Sequence, residues 1–338
     1  MSQLGELVAR CQKESGAVGE LMPWIRSRLD AAYPPITPVP VREPFDDEVD
    51  QWALDAGVYD ESNADELAML ECGRMVRMCM PGTPPEIRMP VAMFFAWTTA
   101  IDDGMLDHGV SIAEITATAD RALRTGSAAR PTPTARTFGG MREHLLRLGA
   151  ADIIPVLADR FAANLHADQH ERDVIAEDRL PPLAEYLDLR AHSFAVYGLM
   201  TIHQWYAGQG LPSGVAGALL AEIGMIDLKL CALNNDLARV QEDLAYPEVR
   251  NIAFVLASEH SVPLVTGCRM GMAVVETLRH QRDRLVDAIR ELAGQPPSLL
   301  EQAEASSCWP AAVHAWHTVG RRYADPDRRI VHAARTLT

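Results

Sequence analysis

The sequence predicts an all-α fold, and three observations carry that prediction. Apolar residues recur with a helix's period of about 3.6 residues along most of the chain. The periodic stretches are punctuated by Pro and Gly. No run of β-branched residues alternates with period two, and no Asn-Gly or Asp-Gly turn sits between alternating runs, so no strand is expected.

The elements follow in chain order. Residues 1–44 read as an N-terminal extension ending in the proline-stiffened segment PPITPVPVREP (34–44), because Pro fixes φ and restricts the residue before it. Helices are expected over 45–57, 64–79, 86–107, 111–126, 133–147, 151–177, 182–207, 212–244, 249–259, 263–292 and 298–320. Ser111 with Glu114 makes a capping box at the fourth of these, while PGTPP (81–85) and AGQPPS (293–298) break the chain between helices. The helices at 182–207 and 212–244 are long and mostly apolar, as central elements of a bundle are. With no long linker, repeat or low-complexity tract, one helical domain over 45–325 is expected, followed by a tail over 326–338.

Composition narrows the function classes. The 338 residues are 48% hydrophobic and 23% charged, a globular composition, and carry a net charge of −15. That sign argues against unaided binding to nucleic acid or an anionic membrane, because polyanion affinity rests on Lys and Arg; phosphate chemistry would need imported cations. The basic residues are almost all Arg, with Lys only at positions 13 and 229. No window approaches the ~18 uninterrupted apolar residues of a membrane span. The start, MSQLGELVARCQKESG, lacks the basic-then-apolar layout of a signal peptide, so a cytoplasmic location is expected. Cys11, Cys72, Cys79, Cys231, Cys268 and Cys308 are scattered without zinc spacing and are expected to be reduced thiols, mostly buried.

Two segments carry candidate chemistry. In FFAWTTAIDDGMLDHG an apolar helical run ends in Asp102, Asp103 and Asp107. Carboxylates there are costly unless solvent or a cation compensates them, and Mg²⁺ takes one or two carboxylates, keeps waters and completes its shell with phosphate oxygens. Asp46, Asp47 and Asp50 in FDDEVDQW fit the pattern DDxxD more literally, but they directly follow Pro44 and read as first-turn carboxylates favoured by the helix dipole. In LCALNNDLARVQEDLAYPEVRN, Asn235, Arg239 and Asp243 share one helix face, with Asn234, Ala238 and Glu242 as the competing stripe. Arg190 in EYLDLR, together with Arg322 and Tyr323 in GRRYADP, adds donors suited to phosphate oxygens.

Taken in order, these motifs resemble the class I terpene synthases, particularly the bacterial single-domain cyclases, over residues from about 40 to 325. The resemblance implies a helical bundle or barrel whose mouth carries Asp102 and Asn235 on facing helices. It implies metal ligation by Asp102, Asp103, Asp107, Asn235 and Asp243, and diphosphate binding by Arg190, Arg322 and Tyr323. Asp102, Arg190 and Tyr323 are then the catalytic candidates, and Phe95, Thr98, Thr99, Phe194 and Trp316 the pocket. The implied cofactor is Mg²⁺, three ions in the family's pattern, and the implied partner is an isoprenyl diphosphate, with a homodimer left open.

Three departures from the family's pattern matter. The third acid of DDGMLD comes one place late. In the metal-binding triad Asn235-Asp236-Leu237 fits, but Arg239 stands at the Ser/Thr position and Asp243 at the Glu position; the frame beginning at Asn234 recovers Glu242 but puts Ala238 at the hydroxyl position. Arg239 at that point would repel Mg²⁺ and is expected to bind diphosphate itself, alongside Arg190, Arg322 and Tyr323; the alternative is that it turns aside to pair with Asp236 or Asp243. Phe194, with Ser193 before it, stands where the family often has an effector glycine.

The function expected is cyclisation of a linear isoprenyl diphosphate. The small residues Thr98, Thr99 and Ala100 favour geranylgeranyl over farnesyl diphosphate. A chain-elongating prenyltransferase would need a second Asp-rich motif, for which NNDLARVQED is a poor substitute. A non-catalytic binding protein on the same scaffold is the other alternative, motivated by the altered triad.

Overall fold

The computed structural model describes residues 3–33, 36, 38–102, 106, 110–127, 130–245, 250–292 and 297–321. Among the described residues the regular structure is helical, with no strand. The chain divides into two compact units.

The first unit comprises residues 1–35, 166–197 and 212–314. It holds α1 (Gln3–Gln12), α2 (Ser15–Ala32), the second half of α9 (Ile154–Ala176), α10 (Leu183–Ser193), α12 (Gly214–Ala245), α13 (Ile252–Glu259), α14 (Leu264–Glu291) and most of α15 (Ser298–Val319). Its core is built on α12, where Ile226, Leu230, Leu233, Leu237, Val240 and Leu244 alternate steps of four and three and so form one apolar stripe. Against it pack Val18, Met22, Ile25 and Leu29 of α2, Phe254 of α13 and Met272 and Val275 of α14. Each such side chain contributes about 1.5–3 kcal/mol when fully withdrawn from water. A buried ion pair joins α12 to α14: Arg282 Nε lies 2.6 Å from Asp227 Oδ1, and Ser306 of α15 donates to Oδ2 at 2.6 Å.

The second unit comprises residues 36–165, 198–211 and 315–338. It holds α3 (Pro44–Asp55), α4 (Ala64–Leu70), α5 (Cys72–Cys79), α6 (Pro85–Asp102), α7 (Ile112–Thr125), α8 (Pro133–Arg147), the first half of α9 and nearly all of α11 (Tyr197–Gly208). Aromatic rings form its centre. Phe94 stacks on Phe161 at 4.2 Å between centroids, Phe138 meets both edge-on, and Trp97 donates its indole N–H to Thr134 at 3.0 Å. Asp46 of α3 and Arg77 of α5 form a buried pair at 2.7 Å. Gly73 permits it, since a Cβ there would lie 2.3 Å from Asp46 Oδ1.

Most expected helices are present, and Ser111 caps α7 with both arms of the capping box made. Three features differ from expectation. Residues before 34 form α1 and α2, although Gly16, Gly19 and Pro23 interrupt the sequence pattern. The helix expected over 64–79 is split at Glu71, which adopts φ 47°; its carboxylate is held by Arg74 at 3.1 Å and by the backbone N–H of Arg321 at 2.9 Å. The helix expected over 182–207 is split after Ser193, with Ala195 at φ 67°. The six cysteines are free, and all but the half-buried Cys308 are buried.

Candidate active site

On α6 the residues Phe95, Thr98, Thr99 and Asp102 lie at i, i+3, i+4 and i+7, and so share a face. This is the less packed side of the helix: Phe94, Trp97 and Ala100 are fully buried on the other, whereas Phe95, Thr98 and Thr99 are half-buried and Asp102 is exposed. Thr99 donates its hydroxyl to the Phe95 carbonyl at 2.8 Å. Asp102 is the last residue of α6, at the end where the helix dipole disfavours a carboxylate, a setting that suits a hard cation. Asp103, Asp107, Arg322 and Tyr323 lie outside the described residues. Trp316 is buried within the second unit.

In the first unit, Arg190 of α10 is held by the neighbouring α12. Its Nε donates to Asp236 Oδ1 at 3.0 Å and its Nη2 to Asn235 Oδ1 at 3.1 Å. The guanidinium also lies 5.4 Å from the centroid of the Phe194 ring, so Phe194 at the end of α10 steadies it by a cation–π contact. Burial opposes the charged form of Arg190, but Asp236, Tyr186 and Glu171 together more than offset it and raise its pKa above the ordinary arginine value.

Asp236 is almost wholly buried and accepts three donors. Besides Arg190 it takes the Tyr186 hydroxyl and the backbone N–H of Ile252 at 3.2 Å, in the first turn of α13. Burial, and then the Asp236 charge, hold the Tyr186 phenol well above its ordinary pKa, so it stays a neutral donor. Asn251 caps α13 with its own side-chain oxygen, on Ala253 N at 2.9 Å. Its amide nitrogen reaches back to α12, to the Asp236 carbonyl at 2.5 Å and Asp243 Oδ2 at 2.8 Å. A second buried carboxylate, Glu171 of α9, accepts from Ser193 at 2.6 Å and from Arg250 at 3.3 Å. The break after α10 and the start of α13 are thereby tied to one helix.

The two stripes of the second motif have different surroundings. Asn234 is fully buried, its amide donating to the Tyr33 hydroxyl at 2.9 Å and the Pro310 carbonyl at 3.1 Å. Asn235, Arg239 and Asp243 are brought together on one face, where Arg239 Nη2 lies 3.6 Å from Asp243 Oδ1 and Arg239 Nε 3.4 Å from Glu242. Of the two orientations expected for Arg239, the structure has the one that pairs with Asp243.

Sequence reasoning missed Tyr186, Asn251, Glu171 and Arg250, and named Asp236 only within the triad frame and as an alternative partner of Arg239. A signal existed for two of them: Tyr186 stands four residues before Arg190 and so shares its face, and Asn251 is an N-cap residue directly before an apolar helix.

Residues 93–281, more than half of the chain, match the family model described as terpene synthase family 2, C-terminal metal binding. The chain belongs to the terpene synthase family. It is similar to 10-epi-cubebol synthase of Sorangium cellulosum (strain So ce56), at 24% identity over 157 residues, which are 45% of this chain and 49% of that protein. It is also similar to labda-7,13(16),14-triene synthase of Streptomyces clavuligerus, at 28% identity over 229 residues, 64% of each chain. The matches thus span about half to just under two thirds of the length of these curated relatives. Among solved structures, 2-methylisoborneol synthase from Streptomyces coelicolor A3(2), in complex with Mg²⁺ and 2-fluoroneryl diphosphate, has the same fold: the TM-score is 0.72 at 21% identity, covering 86% of this chain and 97% of that one. The matched segment contains the outer-face residues of α6 and the whole Arg190–Asp236–Asn251 network, so the terpene synthase assignment falls on the residues that carry the geometry described above.

Proposed function

We propose that the chain is a class I terpene cyclase: it ionises a linear isoprenyl diphosphate with Mg²⁺ and cyclises the resulting carbocation to a terpene hydrocarbon or alcohol, releasing diphosphate. The observation that carries this reading is the outer face of α6, where half-buried Phe95, Thr98 and Thr99 lead to an exposed Asp102 at the helix's unfavourable end. A half-buried surface running up to an exposed carboxylate suits a substrate with a hydrocarbon chain and a metal-bound anionic head.

Asp102 would hold the ion, with Asp103 or Asp107 in support; when bound, Mg²⁺ supplies Lewis-acid stabilisation of the diphosphate leaving group. Arg190 donates its planar fork to diphosphate oxygens, and Asp236 and Asn235 fix the plane of that fork. Arg322 and Tyr323 are further donors to the same group. Phe95 and Phe194 offer aromatic faces that favour positive charge. The Thr99 hydroxyl is committed to its own helix, which leaves the methyl toward the hydrocarbon. Exclusion of water protects the cation until deprotonation or water capture ends the reaction. With Thr98 and Thr99 as small residues, geranylgeranyl diphosphate is the preferred substrate over farnesyl diphosphate.

The reading is tested by incubating the protein with Mg²⁺ and, separately, geranyl, farnesyl and geranylgeranyl diphosphates, then analysing the extracted hydrocarbons. A cyclic product that requires Mg²⁺ supports it. A longer linear diphosphate would indicate chain elongation instead. Diphosphate binding without turnover would favour the non-catalytic alternative, to which the ion-paired Arg239 lends support.

A further inference from the structure

The face of α12 that carries the second motif presents a donor set poorly matched to a divalent cation. A hard ion needs oxygen lone pairs that are available to it. Here Asn235 Oδ1 accepts from Arg190 at 3.1 Å, Asp243 Oδ2 accepts from Asn251 at 2.8 Å, and Asp243 Oδ1 faces the Arg239 guanidinium at 3.6 Å. The middle member of the stripe is itself a cation, and it is also bonded to Glu242 at 3.4 Å. Asp243 is buried, so removing its positive neighbour and its amide donor to admit an ion would first strand a desolvated carboxylate. The set Asn235, Arg239 and Asp243 therefore does not fit Mg²⁺.

We infer that Arg239 is the built-in cation of α12: its guanidinium supplies, between Asn235 and Asp243, the positive charge that a divalent ion would otherwise bring. The inference rests on the cyclase reading above, and it modifies that reading in one respect: metal binding is confined to the acids that begin at Asp102. Arg239 acts as a positioning residue that fixes Asp243 and, through the Asp243–Asn251 bond, the start of α13. Covalent tethering makes this charge permanent, so the α12 motif has no dependence on the free concentration of divalent ions.

The experiment is a Mn²⁺ titration of the full chain in the presence of inorganic pyrophosphate, with free Mn²⁺ read by electron paramagnetic resonance and folding checked by circular dichroism. Arg239→Ser is expected to bind one ion more than the unmodified protein, and adding Asp243→Asn to it is expected to remove that gain. Asp243→Asn alone is expected to leave the stoichiometry unchanged. An unchanged or lower count in folded Arg239→Ser, or the loss of an ion in Asp243→Asn alone, overturns the inference. Should Arg239→Ser not fold, the Asp243→Asn titration decides by itself. Asp102→Asn run in parallel separates the two readings. If it fails to lower the count, the assignment of metal to α6 falls, whereas the Arg239 inference stands or falls on its own variants.

Discussion

Two acidic runs in the second unit each carry three Asp, and their first acids stand at opposite helix ends. In FDDEVD the acids open α3. Asp46 accepts the backbone N–H of Glu43 at 2.7 Å and pairs with the buried Arg77 at 2.7 Å, while Arg42 bonds Asp47 at 2.7 Å and Asp50 at 2.8 Å. In DDGMLD the first acid closes α6, so Asp102 stands exposed at the negative end of the helix dipole. The run that matches DDxxD more literally is tied into structure by its arginines, and the proposed metal role falls to the less literal one. Asp46 and Asp102 stand at opposite ends of their helices, a difference that the motif spacing does not show.

Substituting the two acids separates these roles, with the largest effect expected at Asp102. Asp102→Ala should reduce turnover of the isoprenyl diphosphate by on the order of a hundredfold or more, because losing metal stabilisation of the leaving group costs several kcal/mol. Its melting temperature and helix content should stay at the level of the unmodified protein, since the side chain is exposed. Asp46→Ala should do the reverse. It removes the buried partner that Arg77 bonds through two nitrogens and leaves the guanidinium Glu43 at 3.1 Å and the Pro40 carbonyl at 2.8 Å, at a cost of about 1.5–3 kcal/mol, and should lower the melting temperature while kcat/KM of the folded protein is retained. From sequence alone Asp46→Ala is expected to do little; the Arg77 pair is what changes that expectation. Equal activity losses in the two variants, measured well below either melting temperature, would erase the contrast.

The next effect is smaller and concerns a carboxylate that works through a neighbour. Asp236 resembles Asp46 in being buried against an arginine, yet its arginine is the one assigned to the diphosphate. Arg190→Lys keeps the charge but loses the fork that bonds Asp236 and Asn235 together, and should raise KM about tenfold, one lost charge-assisted hydrogen bond amounting to roughly 1.5–3 kcal/mol. Asp236→Asn should raise KM in the same direction and also lower the melting temperature, because the Tyr186 hydroxyl and Ile252 N–H lose a charged acceptor. A variant of Asp236 that loses stability with KM unchanged would make it a second Asp46, purely structural.

These contrasts show which features the sequence makes legible. Helix positions from α6 onward follow from apolar periodicity and from Pro and Gly breaks, Asp102 stands out because a charge ends an apolar run, and Arg190 through its donor fork in the EYLDLR motif. The breaks at Glu71 and Ala195 are not legible, because neither residue type advertises a left-handed backbone. Glu71 is held by Arg74, three residues on, and by the distant backbone N–H of Arg321. The helix α2 is disguised in another way: Val18, Leu21, Ile25 and Leu29 keep the helical period, but Gly19 and Pro23 lie among them. In Asn234-Asn235-Asp236 three adjacent polar residues look equivalent. Only packing sends the first to Tyr33, the second to Arg190 and the third into the core.

The smallest expected effect calibrates the electrostatic side of the comparison. The helix after Asp102, α7, begins with Ser111, whose hydroxyl accepts the Glu114 N–H at 3.2 Å while Glu114 accepts the Ser111 N–H at 3.3 Å. Here an acid sits at a favourable helix N-terminus, in the second unit like Asp102 but at the opposite kind of helix end. Ser111→Ala removes one arm of the box and should cost about 1 kcal/mol of stability, while Ser111→Asp, which caps as well and adds charge at the positive end, should restore it. Both variants should leave KM unchanged, because neither alters a residue assigned to metal or diphosphate. If Ser111→Asp were instead destabilising at low salt and recovered at high salt, the local field would be dominated by neighbouring acids and not by the α7 dipole. In that event helix polarity could not be the reason that Asp46 and Asp102 behave differently, and the Arg77 pair of Asp46 would carry the difference on that side.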